Sequence, residues 1–313
     1  MNSKKSFMLF SGTSHPEFAK AIADHLGIGL GEASIVKFPD NEIGVQILEN
    51  VRGRDVFLVQ SVALNPNLYL MELLIMIDAL KRASAREIVA VMPYFGYARQ
   101  DRKDKGRVPI TAKLVANLLE TAGATRVLTM DLHSEQIQGF FDIPVDNLYG
   151  FPTLADSLAK RVDNPVIVAP DLGSVKLMRA FASRLGADVG IVEKRRVGGG
   201  NVEMRFLIGN VEKRNVILID DICSTAVTLK EASRVVKEAG AQRVLAAITH
   251  GLFVGDCAKK SFIETLVKTD TIPLREKAGF NQIETISVAP LFARAIESIV
   301  LGESIQALCL DRT

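Results

Sequence analysis

The chain has 313 residues, 48% of them apolar and 24% charged, with a formal net charge of +2. That length leaves room for about two domains with real cores, and the near-neutral balance makes no case for nucleic acid or an anionic membrane surface as partners. Cys223, Cys257 and Cys309 have neither disulfide nor metal spacing, which suggests a reducing, cytoplasmic setting. The apolar run near Phe7 is too short for a signal peptide, and the most apolar helical stretch, residues 68–80, is interrupted by Glu72 and Asp78, so no membrane span is expected.

In chain order, residues 7–10 read as a short strand and residues 15–26 as a helix with Phe18, Ile22 and Leu26 on one face. Phe38-Pro39-Asp40-Asn41-Glu42 is a turn between two strand-like runs, the second at 45–48. A buried strand at 55–60, a long helix at 68–83 and another strand at 88–92 follow, and this alternation argues for parallel sheets with helices on both faces. Residues 94–107 form a polar, basic insertion with Arg99 and Gln100. It has nothing to hold it in a core and reads as a flexible lid presenting cations to an anion. A helix starts at Thr111, and the strand after it, 127–133, ends in His133.

An internal repeat then appears. Thr111 corresponds to Thr228, Lys113 to Lys230, Ala122-Gly123-Ala124 to Ala239-Gly240-Ala241, Arg126-Val127-Leu128 to Arg243-Val244-Leu245, and His133 to His250, all at one constant offset. The expected architecture is two copies of one βα domain, residues 1–148 and 149–313. The boundary falls near Gly150 and Pro152.

In the second half, residues 166–171 read as a strand ending in Asp171. Residues 189–196 form a strand ending in Lys194-Arg195-Arg196, before Gly198-Gly199-Gly200. In a parallel sheet these strand ends converge with the end of the strand 216–219, where ligands of such folds bind. That last strand stops at Asp220-Asp221, and a hydroxyl-bearing loop follows: Ser224, Thr225, Ala226, Val227, Thr228. A helical pattern then runs to Gly240. Thr228 with Glu231 reads as a capping box. Free N–H groups and the positive dipole end at such a helix start make a phosphate site, and the adjacent acids suit sugar hydroxyls or a cation. A strand and a helix within residues 287–299 close the fold.

Strand, Asp-Asp, four residues and Thr resembles the ribose-phosphate loop of the type I phosphoribosyltransferase fold. Over nearly its whole length the chain resembles the class I, bacterial-type ribose-phosphate diphosphokinase family. The resemblance implies an α/β protein of two tandem type I phosphoribosyltransferase-like domains. It implies transfer of diphosphate from ATP to the 1-hydroxyl of ribose 5-phosphate, for nucleotide biosynthesis. It further implies Lys194 and Arg196 as catalytic cations, and ATP contacts at Phe38, Asp40, Asn41, Glu42, Arg99 and Gln100. Ribose 5-phosphate would be held by Arg196, Asp220, Asp221, Ser224, Thr225, Ala226, Val227 and Thr228, and Mg2+ by His133 and Asp171. A regulatory ADP or phosphate near residues 51–54 and 81–84 is implied as well, with assembly as a homohexamer.

The chain departs from the family pattern in the second half. The loop reads Ser224-Thr225-Ala226-Val227-Thr228 where Asp-Thr-Gly-Gly-Thr or a near variant is common. Ser174 stands where Gly is usual, Leu177 replaces a common Arg, and Val197-Gly198 replaces Pro-Arg. Val227 implies either a loop path with ordinary φ at that position or local strain, and the ordinary path is favoured. Two alternatives remain at this point: a non-catalytic homologue that regulates an active synthase, and a phosphoribosyltransferase.

Overall fold

The computed structural model describes residues 7–196, 203–255, 261–275 and 280–309. The Gly198–Gly200 stretch lies outside the described residues. Two compact units emerge, one of Met1–Leu148 with Ala289–Cys309, the other containing Tyr149–Val288.

The first unit runs β1 (Phe7–Ser11), α1 (Pro16–Leu26), β2 (Ala33–Lys37), β3 (Ile43–Ile47), β4 (Asp55–Val59), α2 (Pro66–Arg82), β5 (Glu87–Met92), α3 (Thr111–Ala122), β6 (Arg126–Met130) and β7 (Val145–Leu148). A five-stranded sheet has the order β1-β4-β5-β6-β7, every pair parallel. β2 and β3 form a separate antiparallel hairpin around the 38–42 turn. One core joins Val56, Leu58, Ile88 and Ala90 of the sheet to Leu73, Met76, Ile77 and Leu80 of α2 and to Ala112, Val115 and Leu119 of α3.

The second unit contains α4 (Phe151–Ala159), β8 (Pro165–Ala169), α5 (Val175–Leu185), β9 (Asp188–Arg196), β10 (Glu203–Ile208), β11 (Asn215–Cys223), α6 (Val227–Glu238), β12 (Arg243–Gly251), β13 (Thr265–Thr269) and β14 (Ile283–Ile286). Its seven strands lie in the order β10-β9-β8-β11-β12-β13-β14. All pairs are parallel except β10 with β9. The continuous apolar run of β11 exists because both faces of this sheet are covered. Val216 and Leu218 pack with Leu229, Ala232 and Val236 of α6, while Ile217 and Ile219 pack with Phe151, Leu154 and Phe181 of α4 and α5.

The duplication is visible in the succession β5-α3-β6-β7, matched by β11-α6-β12-β13 with the same neighbours and direction. It does not extend to the strands before it. In the first sheet the earlier strand, β1, lies outside β4, whereas in the second the earlier strand, β8, lies beside β11 and β9 is laid outside it. The C-terminal helices α7 (Ala289–Leu301) and α8 (Gln306–Cys309) belong with the first unit, although the sequence reading assigns the whole of 149–313 to the second. Apolar side chains explain α7's place: Phe292 meets Phe18 of α1 edge to face, with ring centroids 5.4 Å apart.

Candidate active site

In the second unit, β8, β9 and β11 lie side by side and point the same way. Their carboxyl ends bring Asp171, the backbone of Lys194 and Arg196, and Asp220 to one edge of the sheet, as crossover topology requires. The side chains of Lys194 and Arg196 lie outside the described residues. Asp171 stands two residues beyond β8, where its Oδ1 accepts from the Gly173 N–H at 2.9 Å and so caps the 3-10 turn Leu172–Ser174.

β11 does not stop at the carboxylates. It carries Asp220, Asp221 and Ile222 through to Cys223, still in register with β12 at Asp220–Ile248 and Ile222–His250. Asp220 Oδ1 accepts two hydrogen bonds, from Ser174 Oγ at 2.8 Å and from the Asp221 N–H at 3.0 Å. Asp221 Oδ1 accepts from the Ile222 N–H at 2.9 Å. Burial pushes the Asp220 carboxyl well above the usual carboxylate range; the neighbouring charges of Asp221 and Asp171 push it the same way, while the Ser174 hydroxyl opposes them. A cation or a polyhydroxyl ligand would relieve this crowding of negative charge.

The loop that follows is pinned from behind. The carbonyl of Cys223 accepts from the Leu252 N–H at 2.9 Å and that of Ser224 from the Val254 N–H at 2.8 Å. α6 begins at Val227, not Thr228, and Ala226 is its N-cap with φ 57 and ψ 7. The capping box expected at Thr228 and Glu231 does not form: no side-chain hydrogen bond caps this helix, and Glu231 instead pairs with Arg234 at 3.4 Å. The helix start is therefore open, with N–H groups that have no intrahelical acceptor and a positive dipole end. Val227 keeps an ordinary negative φ; the left-handed residue is Ala226. The cause is packing. The Ala226 methyl is buried in the core beside Leu229, while Val227 is 57% exposed. Thr225 is exposed, and Ser224 and Thr228 are half-buried.

In the first unit, the 38–42 turn is tight. The Phe38 N–H donates to the Glu42 carbonyl at 2.9 Å, the Asn41 N–H to the Phe38 carbonyl at 2.9 Å, and the Glu42 N–H to Asp40 Oδ1 at 3.1 Å. Phe38 is 48% exposed, its ring lying over Gly44, where a Cβ would come within 2.8 Å of it. The insertion after β5 is less loose than its composition suggests. Tyr94, Phe95 and Ala98 are buried, and Phe95 meets Phe141 edge to face at 5.9 Å. Gln100 is anchored to α3, its carbonyl accepting from the Ala112 N–H at 3.2 Å and its side-chain carbonyl from Thr111 Oγ1. Arg99 is exposed, and the continuously exposed part of the insertion is confined to residues 102–107. The strand leading to His133 ends at Met130; Asp131 turns the chain with φ 39, and His133 is exposed. Its repeat partner His250 is buried, with Nδ1 2.9 Å from Thr271 Oγ1, so the two copies have diverged at this position.

Among the described residues, no group of three His, Cys, Asp or Glu side chains forms a metal cage, and no helix is long and apolar enough to cross a membrane. Ser174, which sequence reasoning treats only as a departure from Gly, joins the candidate site through its hydrogen bond to Asp220. Its one signal, a hydroxyl at a helix start, points to a cap and not to Asp220.

Comparisons with known proteins agree on one family. A family model described as the N-terminal domain of ribose phosphate pyrophosphokinase matches residues 7–123, and one described as a phosphoribosyl synthetase-associated domain matches residues 202–309. The ribose-phosphate pyrophosphokinase of Wolinella succinogenes is 51% identical, over 97% of this chain and 99% of its own. That of Helicobacter pylori is 49% identical, over 97% and 96%. The crystal structure of phosphoribosylpyrophosphate synthetase from Mycobacterium smegmatis superposes with a TM-score of 0.90 at 38% identity, covering 95% of this chain and all of that one. With both halves matched by family models and near-complete coverage at this identity, the chain belongs to the ribose-phosphate pyrophosphokinase family, as a catalytic pyrophosphoryl transferase of the α/β class.

Proposed function

We propose that the chain transfers the diphosphate group of ATP to the 1-hydroxyl of ribose 5-phosphate, releasing AMP, in nucleotide biosynthesis in the cytoplasm. The observation that carries the ribose-phosphate assignment is the uncapped start of α6, directly after the Asp220-Asp221 pair. Open N–H groups and the dipole end suit the 5-phosphate, with the hydroxyls of Ser224, Thr225 and Thr228 beside them and Ala226 and Val227 supplying backbone. Asp220 and Asp221 accept from ribose hydroxyls, which is how buried acids discriminate a polyol from a simple phosphate. Arg196 assists at the ribose phosphate. Lys194 and Arg196 neutralise the charge that builds on the transferring diphosphate, since this chemistry demands positioning and charge stabilisation more than covalent work.

ATP is assigned to the first unit. Phe38 offers an exposed ring face to adenine, the hydrogen-bonded Asp40-Asn41-Glu42 turn offers polar contacts, and Arg99 and Gln100 reach the phosphates. Mg2+ is the cofactor we assign, with Asp171 and His133 as its protein ligands. The hard, uncaged carboxylate of Asp171 fits an ion that binds few side chains and relies on substrate phosphates; when bound, the ion shields phosphate charge. A regulatory ADP or phosphate is assigned to residues 51–54 and 81–84. The Gly53 N–H donates to the Ser84 carbonyl at 2.8 Å, which brings Arg52 and Arg54 into the neighbourhood of Arg82. Assembly is assigned as a homohexamer.

The test is direct. Purified protein with ribose 5-phosphate, Mg-ATP and phosphate should release AMP in proportion to ribose 5-phosphate consumed, and ADP should inhibit. Absence of AMP in the presence of folded protein would favour a regulatory homologue. Sedimentation of the same sample tests the hexamer.

A further inference from the structure

Ser174 is a buried hydroxyl beside Asp220 to which the proposed chemistry gives no role. It is the N-cap residue of α5, and a serine there ordinarily accepts a hydrogen bond from its own helix. No side-chain cap forms at α5. The residue is 6% exposed, and its hydroxyl donates instead to Asp220 Oδ1, 46 positions away, at 2.8 Å. The contact exists because β8 pairs directly with β11, so the turn after one strand lies beside the carboxylate of the other.

The consequence for Asp220 is orientation. Oδ1 holds both protein donors, Ser174 Oγ and the Asp221 N–H. A carboxylate oxygen accepts about two hydrogen bonds, so Oδ1 is filled and any further hydroxyl donor is left to Oδ2. We propose that Ser174 is a positioning residue for ribose 5-phosphate: by holding Oδ1 it fixes the Asp220 carboxylate with Oδ2 directed to the sugar hydroxyls. The inference rests on the reading of Asp220 as a ribose ligand. It also gives the departure from Gly a purpose, since Gly at this position would leave Oδ1 held by the Asp221 N–H alone. Asp171 shares the same short turn, so the serine also ties that turn to the strand bearing Asp220.

A double-mutant cycle read by ribose 5-phosphate binding tests this on the full chain. Calorimetric Kd values are measured for the parent protein, Ser174→Ala, Asp220→Ala and the double variant, with KM for Mg-ATP as control. Loss of this buried hydrogen bond predicts that Ser174→Ala weakens ribose 5-phosphate binding roughly tenfold and leaves the Mg-ATP KM within about twofold. In the Asp220→Ala background the same change should alter Kd less than about twofold, because the interaction it removes is already gone. Ser174→Gly, which lacks the hydroxyl and adds no bulk, gives the same readout if the alanine variant folds poorly. The inference is overturned if Ser174→Ala leaves Kd unchanged, or weakens it equally in both backgrounds. If Asp220→Ala itself leaves Kd unchanged, the assignment of Asp220 fails and this inference falls with it.

Discussion

Lys268 sits on β13 with 1% of its surface exposed, and its Nζ donates to the carbonyls of Thr269 and Ile272, each at 2.9 Å. Burial lowers its pKa from the usual 10.5 to about 8, against a smaller opposing pull from Asp270. At about 1.36 kcal/mol per pH unit, holding the charged ammonium here costs the fold roughly 3 kcal/mol. Replacement by Met keeps an unbranched stem of similar length and removes the charge. It also strips a donor from two carbonyls, at about 1 kcal/mol each. Lys268→Met should therefore stabilise the protein by about 1 kcal/mol at pH 7. The sign with pH follows from linkage. The folded state releases its proton near pH 8 and the unfolded state only near 10.5, so between these values the unfolded chain binds more protons and the parent gains stability as pH rises. The variant lacks that gain, so its advantage shrinks above pH 8 and reverses by about 2 kcal/mol near pH 10.5. Urea midpoints for both proteins at pH 7, 9 and 10 measure it. Parallel pH dependence of the two midpoints would refute the reasoning, as would a variant destabilised at pH 7.

Lys194→Ala should lower kcat by ~10²–10³ while the KM for Mg-ATP moves little, in steady-state AMP release; near-full kcat would remove Lys194 from the mechanism. At the ribose-phosphate loop, Ala226→Gly relieves about 1 kcal/mol of left-handed strain but loses a buried methyl worth about 0.8 kcal/mol, so its melting temperature should stay within a few degrees of the parent's. Val227→Gly acts on an exposed first-turn residue with ordinary φ. It should cost up to about 1 kcal/mol of helix stability and fail to lower the KM for ribose 5-phosphate; a clear fall in that KM would show that the side chain obstructs the loop after all. Trypsin should cut first within the exposed residues 102–107, and Mg-ATP should slow that cut, measured by mass spectrometry of the early fragments. Equal rates with and without nucleotide would count against a lid.

Much was legible in the chain by itself, and for local reasons. Apolar β-branched runs such as 216–219 report a strand buried on both faces, and the helical spacing that starts at Thr111 and again at Thr228 reports one face on a sheet. One constant offset from Thr111–Thr228 to His133–His250 exposes the duplication, because equivalent packing in each copy needs equivalent side chains. Asp171 and Asp220 could be put at one sheet edge because parallel topology brings strand ends together. What tertiary structure decided depends on contacts between distant segments. Thr228 and Glu231 have the spacing of a capping box, yet the buried Ala226 methyl starts the helix one residue earlier and leaves its end open. Tyr94, Phe95 and Ala98 look like part of a loose polar loop until the core receives them. α7 follows the second unit in sequence but packs in the first, because Phe292 finds Phe18 there. Ser174 and Asp220 are joined only because β8 lies beside β11. No local pattern encodes that neighbour, since a side chain's partner across a sheet is chosen by strand order, which emerges only when the whole core closes.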